Sequence, residues 1–338
     1  MNTLLIKSLL QKFDKSKICQ VYDRWPLLAE QYFHMSYDKI DFQHIEHIIF
    51  TGMGGSGAIG DTLSAILSKT SLHLDVVKGF HLPKSANSNT LVVATSASGN
   101  TLETLTVLKN AKKNDCKIIA FSSGGKMEEY CMKSKLEYRK IPILNSPRAS
   151  YPLFLYSILN VLQDILPVRN NDVIASIDQL EKTKEQISSS NLRNNPSIEL
   201  AKWLSGMPLI YYPAGLEAAA IRFKNSLQEN AKTHVIAEDV IEACHNGIMS
   251  WESISNARPV LIQGKDDYIK TKRLWKIVKE YFNKNGIPYK DVFSVNGNIL
   301  SKIVNLVYML DYSSIYCAVL SRKDPTPTHS IDFVKSRM

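Results

Sequence analysis

LVVATSASGNTLETLT, residues 91–106, opens as a short buried strand and empties into Ser96, Ser98, Gly99, Asn100 and Thr101. Beyond them Leu102, Leu105 and Leu108 recur at helical spacing, with Thr101 placed to cap the helix. A strand that runs through hydroxyls and a glycine into a helix start is a ready anion site. Free backbone N–H groups and the helix dipole face the ligand, and the hydroxyls add short hydrogen bonds. Upstream, Ile48-Ile49-Phe50 leads in the same way into Thr51-Gly52-Met53-Gly54-Gly55-Ser56-Gly57 and a helix through Leu67. Neither loop carries a lysine, which points to a phosphate monoester held by neutral donors.

Outward from these loops, strands are expected at 47–51, 72–77, 90–95, 117–121 and 136–141, with helices at 56–69 and 101–113. That order predicts a parallel sheet with right-handed crossovers and ligand loops at the carboxyl ends of its strands. Residues 1–40 read as peripheral helix broken at Pro26, and 151–165 as one long helix after Asn145-Ser146-Pro147-Arg148. Composition turns polar from Val168 to Asn195, and a second alternation follows. Its strands are expected at 209–213, 233–237, 259–263 and 289–295, and its helices at 216–229, 267–283 and 299–319. The halves open alike: IIFTGMGGSGAIGDTLSAIL sits against LIYYPAGLEAAAIRFKNSLQ with similar hydrophobic spacing. The chain therefore reads as a duplicated, doubly wound α/β domain whose second copy lacks the glycines and phosphate-binding hydroxyls. The expected units are 1–167, a helical linker 168–195, and 196–338, ending in Pro325-Thr326-Pro327-Thr328 and a short helix.

Composition bounds the function. At 338 residues the chain has room for two domains, and its 44% hydrophobic and 22% charged residues suit a soluble globular protein. The net charge of +9 is scattered and belongs to no nucleic-acid module, so it favours anionic small molecules rather than DNA. Cys19, Cys116, Cys131, Cys244 and Cys317 form no CxxC pair, which fits a reduced, cytoplasmic setting without structural zinc. Residues 1–10 lack a basic n-region and a cleavage site. The most apolar stretches, 151–168 and 303–320, are interrupted by Gln163, Asp164 and Asp311 and read as buried helices rather than membrane spans.

Gly52-Met53-Gly54-Gly55-Ser56-Gly57 also fits the dinucleotide fingerprint G-x-G-x-x-G, which makes a nicotinamide cofactor the first rival. That reading needs an acidic residue at the end of the second strand. Asp75, followed by Val76 and Val77, falls inside it. Taken singly, the other candidates are bland. Glu229 near a helix end reads as a solvated glutamate, and His245 in Ala243-Cys244-His245-Asn246-Gly247 as structural. Arg148 and Lys335 read as surface charges, and His44 and His47 as surface residues without a metal-site partner.

Together the motifs are specific. GMGGSG (52–57), SASGNTLET (96–104), SPRA (146–149), LQENAK (227–232), CHN (244–246) and THSIDFVKSRM (328–338) span nearly the whole chain. In that order they resemble the bifunctional phosphoglucose/phosphomannose isomerases of the sugar isomerase (SIS) superfamily. One departure is Ala97, where relatives often carry an aromatic residue. The resemblance implies two tandem SIS domains of flavodoxin-like winding, a hexose 6-phosphate substrate, no metal or organic cofactor, and a homodimer with shared active sites.

It further implies a role for each residue. Gly55, Ser56, Ser96, Ser98 and Thr101 hold the 6-phosphate; Glu229 shuttles the proton between C2 and C1 through a cis-enediol(ate). His245 opens the ring with Lys335 nearby, Arg148 stabilises the enediolate, and Thr328 leaves room for either C2 epimer. Two alternatives stay in view. A non-catalytic SIS sugar-phosphate sensor predicts a helix-turn-helix or partner module, which residues 1–40 do not suggest. The isomerase half of an amidotransferase predicts a glutaminase domain with an N-terminal cysteine, whereas the chain begins Met1-Asn2-Thr3.

Overall fold

The computed structural model describes every residue except Met1, Asn2, Lys39 and Met338. Five strands form the first sheet: β1 (His47–Thr51), β2 (His73–Val77), β3 (Thr90–Ser96), β4 (Lys117–Ser122) and β5 (Glu137–Lys140). All pairs are parallel, and the order is β2-β1-β3-β4-β5. β1 and β3 are buried along their whole lengths, which is why they read as continuous apolar runs rather than alternating ones. On one face Ile49, Val92 and Ala94 pack against Leu105, Leu108 and Met127. The winding reverses between β1 and β3, the point where ligands bind in sheets of this kind.

The second sheet repeats that winding with one strand fewer: β6 (Met207–Tyr212), β7 (Ile236–Asp239), β8 (Ala257–Gln263) and β9 (Lys290–Phe293), ordered β7-β6-β8-β9 and all parallel. The duplication read from the two opening segments is thus present in the topology. Helix Ile299–Leu320 is long and apolar enough to cross a membrane, but 89% of its most apolar window is buried inside the protein.

Several local expectations are corrected. The first residues are not peripheral: Ile6, Ile18 and Tyr22 are buried, and Tyr308 donates to the Tyr22 carbonyl at 2.6 Å. Pro26 does not break a helix but sits in the first turn of Trp25–Phe33, where its missing N–H has no intrahelical partner to lose. A helix at Gly125–Ser134 went unanticipated, because Met127 and Cys131 are its only buried residues and leave little periodicity to read. Of the described residues, contacts gather those in Met1–Asp23 and Asp178–Thr328 into one compact unit, and those in Arg24–Ile177 and His329–Met338 into another. The termini therefore group differently from the contiguous units 1–167 and 196–338. The segment expected as linker is largely the helix Asn170–Ile187, within which the division falls.

Candidate active site

In the unit that holds the first sheet, the loops after β1 and β3 lie side by side because their strands are neighbours. The Ala97 backbone N–H donates to Ser56 Oγ at 3.2 Å, which ties one loop to the other. Ser96 Oγ lies 3.0 Å from Thr101 Oγ1 and accepts the Gly99 N–H at 3.1 Å. Thr101 stands at the expected cap position, yet its hydroxyl makes no capping bond. The helix Gly55–Leu67, entered through Gly54, likewise has no side-chain cap. Two helix N-termini thus meet at the switch point with N–H groups that no side chain of the cap residue claims, an arrangement suited to an anion. Ser56 and Ser96 are buried within the loops, while Ser98 is exposed at the rim.

Close approach dictates the glycines. A Cβ on Gly52 would stand 2.8 Å from the Thr95 carbonyl, and Gly99, at φ +69°, lies hard against Gly124. Gly55 faces the backbone of Arg148, to which a Cβ would come within 3.4 Å. Arg148 is only 3% exposed and sits in a short 3-10 turn, Arg148–Ser150. Trp25 Nε1 donates to the Ala149 carbonyl at 2.9 Å, and Ser150 Oγ bonds both Leu144 N–H and the Ser146 carbonyl, so the turn is fixed from two sides. Arg148 is therefore brought to the first loop. Lys335 is not held in the same way: it is exposed on the helix His329–Lys335, none of whose residues is buried.

Sequence reading missed two supports. Lys78, just past β2, lies against Gly57 and pairs with Asp61 at 2.5 Å. Burial pushes the Asp61 carboxyl up, and the ammonium of Lys78 offsets part of that effect. A third turn, Ser122 to Gly125, backs the second loop, with Lys126 N–H donating to Asn100 Oδ1 at 3.1 Å. Its serines and glycines carried a signal of their own, the same strand-to-helix pattern as the first two.

Glu229, His245 and Thr328 belong to the other unit. The helix Glu217–Ser226 continues not as α-helix but as a π turn, Leu227–Ala231, with Glu229 half-buried in it. π turns are rare and gather at functional sites. This one rests on a buried network. Asp311, fully buried, accepts Arg222 Nη2 at 2.6 Å, Ser226 Oγ at 2.7 Å and Tyr22 Oη at 3.0 Å. Asn230 Nδ2 donates to Ser314 Oγ, which donates to the Asp311 carbonyl. Lys232 and Lys323 close the turn by donating to the carbonyls of Glu229 and Ala231. Lys232 also bonds the carbonyls of Pro325 and Pro327, so the segment leading to half-buried Thr328 is tied to the turn that carries Glu229.

His245 follows β7 through the short helix Val240–Ala243, capped by Asp239, and is exposed. Asn246 Nδ2 donates to Glu242 at 3.0 Å, and a Cβ on Gly247 would stand 2.7 Å from the Glu238 carboxyl, which burial and Glu242 both push up. The crossover decides how the two candidates lie within the unit. β6 and β7 are parallel, so their connecting helix must run back along the sheet. Glu229 comes near the end of that return and His245 past the carboxyl end of β7. One copy of the unit therefore carries them toward opposite ends of its strands.

Comparison with known proteins gives a family context. The model of the bacterial phospho-glucose isomerase C-terminal SIS domain matches residues 193–338, and that of the SIS domain matches 41–130. The bifunctional phosphoglucose/phosphomannose isomerase of Caldicellulosiruptor bescii is 31% identical over 315 residues, 89% of this chain and 91% of that one. A D-glucosamine-6-phosphate 4-epimerase of Sulfolobus acidocaldarius is 30% identical over 69% of this chain and 72% of its own. Among solved structures, a hypothetical protein from Thermus thermophilus superposes with a TM-score of 0.76 at 15% identity, covering 99% of this chain and 93% of that one.

Proposed function

Because the chain belongs to the bifunctional phosphoglucose/phosphomannose isomerase family, we infer that it interconverts glucose 6-phosphate and mannose 6-phosphate with fructose 6-phosphate. The observation that carries the substrate class is the meeting of two helix N-termini, at Gly54 and Thr101, without side-chain caps. A phosphate suits them: it is doubly anionic and takes backbone N–H and hydroxyl donors at once. Gly55, Ser56, Ser96, Ser98 and Thr101 hold the 6-phosphate. Binding energy gained far from the reacting carbons then orients C1 and C2.

Each remaining residue has a task its chemistry fits. Glu229 takes the C2 proton and returns it to C1 through a cis-enediol(ate), as a positioned carboxylate base. His245, whose ring carries both a proton donor and an acceptor nitrogen, moves the proton that opens the pyranose ring, assisted by Lys335. Arg148 meets the negative charge that grows on the enediolate oxygen. Thr328, short and beside C2, admits either epimer. Side chains handle both protons, so the reaction calls for neither a metal nor an organic cofactor.

The protein acts as a homodimer with shared sites, in the cytoplasm. The placement of Glu229 and His245 toward opposite ends of the strands of one sheet supports the sharing. A two-fold axis brings one copy's histidine to the other's glutamate, where a single copy has them apart. The cytoplasm suits five cysteines that form no disulfide among the described residues.

A coupled assay on metal-free protein tests the reading. Both aldose phosphates should yield fructose 6-phosphate, and Glu229→Gln should lower kcat at least ~100-fold, the low end of a general-base contribution. Near-normal turnover in that variant would remove Glu229 from the mechanism. Epimerisation at C4 without ketose formation would place the chain with its Sulfolobus relative, and tight binding without turnover would favour a sensor.

A further inference from the structure

At the other end of the first sheet from the phosphate loops, β1 and β2 both begin with histidine. His47 and His73 are register partners across the parallel pair, and Asp75, two residues further along β2, projects from the same face. The sequence reads His47 as a surface residue without a metal-site partner; it is instead 6% exposed and faces two. Its Nε2 lies 2.9 Å from Asp75 Oδ2, and His73 Nε2 lies 3.9 Å from the same oxygen. One donor atom from each residue falls within 4.8 Å of the other two.

We propose that His47, His73 and Asp75 form a binding site for one late first-row divalent cation of the zinc class, with water completing its shell. Ligand atoms in a tetrahedral site 2.0–2.1 Å from the ion stand about 3.3 Å apart, and the two histidine–aspartate separations bracket that value. Two imidazole nitrogens and one carboxylate oxygen form a set that selects zinc, nickel, cobalt or copper over magnesium and calcium. The far side of His47 is prepared as well. Its Nδ1 lies 3.4 Å from Thr90 Oγ1, whose position is fixed by the Asn87 N–H at 3.0 Å. With the Nδ1 proton given to that hydroxyl, the Nε2 lone pair faces Asp75 and the ion, the usual second contact of a metal-bound histidine.

The rings of His47 and His73 are stacked at 4.1 Å with planes 17° apart, so their lone pairs lie in nearly parallel, separate planes. One ring must turn to share an ion. His73 has the room to do so: its side chain is 61% exposed, whereas that of His47 is 7% exposed. The site is thus half-built, with a fixed histidine, a shared carboxylate and a swinging histidine that closes on the metal. Its product is mechanical. β2 is the edge strand, and the ion would clip its start to β1. Five residues of β1 separate this end from the phosphate loops, about 13 Å of strand, so sugar-phosphate turnover does not depend on the ion.

Calorimetric titration of the full-length, chelator-treated protein with Zn2+ tests the proposal, with Co2+ absorption as a second readout. Wild type should bind one equivalent, give the intense visible bands of a low-symmetry four-coordinate cobalt site, and be indifferent to excess Mg2+. His73→Ala and Asp75→Asn should each weaken Zn2+ binding by at least about tenfold and abolish those bands, while isomerase turnover stays at the wild-type level. Both changes lie at partly exposed side chains, and an unchanged unfolding midpoint without metal establishes that the fold survives. Equal Zn2+ affinity in wild type and His73→Ala would put the ion elsewhere, at the cysteines for example. Absence of stoichiometric binding would reduce the trio to a hydrogen-bonded cluster. Either result overturns the site.

Discussion

Lys232, the residue just past the π turn, donates its ammonium to the carbonyl oxygen of Glu229 three residues back at 2.6 Å. The same ammonium reaches the carbonyls of Pro327 at 2.9 Å and Pro325 at 3.3 Å. One cation thereby fixes the backbone of the proposed base and the segment that delivers Thr328. A neutral side chain cannot satisfy three carbonyls at once, so the lysine acts through position rather than through its own acidity.

Lys232→Met should therefore lower kcat by about 10- to 100-fold, the scale of a misplacement near 1 Å, with KM for glucose 6-phosphate changed much less. The ratio of mannose 6-phosphate to glucose 6-phosphate turnover should shift too, since Thr328 moves with the base. Lys232→Arg should recover part of the loss, and the pH–rate profile should keep its shape. An unchanged substrate ratio would separate Lys232 from Thr328.

Beneath the same turn, Asp311 and Arg222 are a buried ion pair, 0% and 3% exposed. Asp311→Asn should cost about 3–5 kcal/mol in urea unfolding, because it leaves the guanidinium buried without its counter-charge. Adding Arg222→Met should cost less than the first change alone, since both charges are then gone. Additive losses in the double variant would show that the pair is not the source.

Phosphate binding should rest on hydroxyls. Ser98→Ala with Thr101→Ala should weaken binding of a sugar phosphate by ~1.5–3 kcal/mol for each lost bond to the anion, read by calorimetry, with the fold intact. Unchanged affinity, or tighter binding of NAD than of any sugar phosphate, would return the first glycine loop to the dinucleotide reading.

Shared active sites have a test in symmetry. Glu229→Gln and His245→Ala should each be inactive alone. Unfolded together in equal amounts and refolded, they should recover roughly a quarter of wild-type activity. About half the dimers are mixed, and each mixed dimer has one site with both residues intact. No recovery, with mixed dimers shown to have formed, would place both residues in one copy's site.

Much of this protein was legible in its sequence because the signals are local. β1 was expected at 47–51 and is His47–Thr51, and the apolar run of β3 differs from its expected span by one residue. A strand buried on both faces announces itself by composition alone, and a glycine at a close approach announces the turn. The parallel pairing followed from strand–helix order, since strands joined through a helix pair in parallel and their crossover is right-handed in nearly every case.

Tertiary structure decided what depends on residues far apart in the chain. Thr101 was placed correctly as the last residue before its helix, but whether its hydroxyl capped that helix or turned to Ser96 was settled by the loop around it. Asp311 looked like an interruption in an apolar helix and proved to be the acceptor for Arg222, Ser226 and Tyr22. His47 looked like a surface residue until sheet register set it beside His73. Sequence alone determined most of the strands and the two glycine-and-hydroxyl loops, because neighbouring residues fix local conformation. Which charges are buried, paired or gathered is a property of packing, and only the folded chain brings those partners within reach of one another.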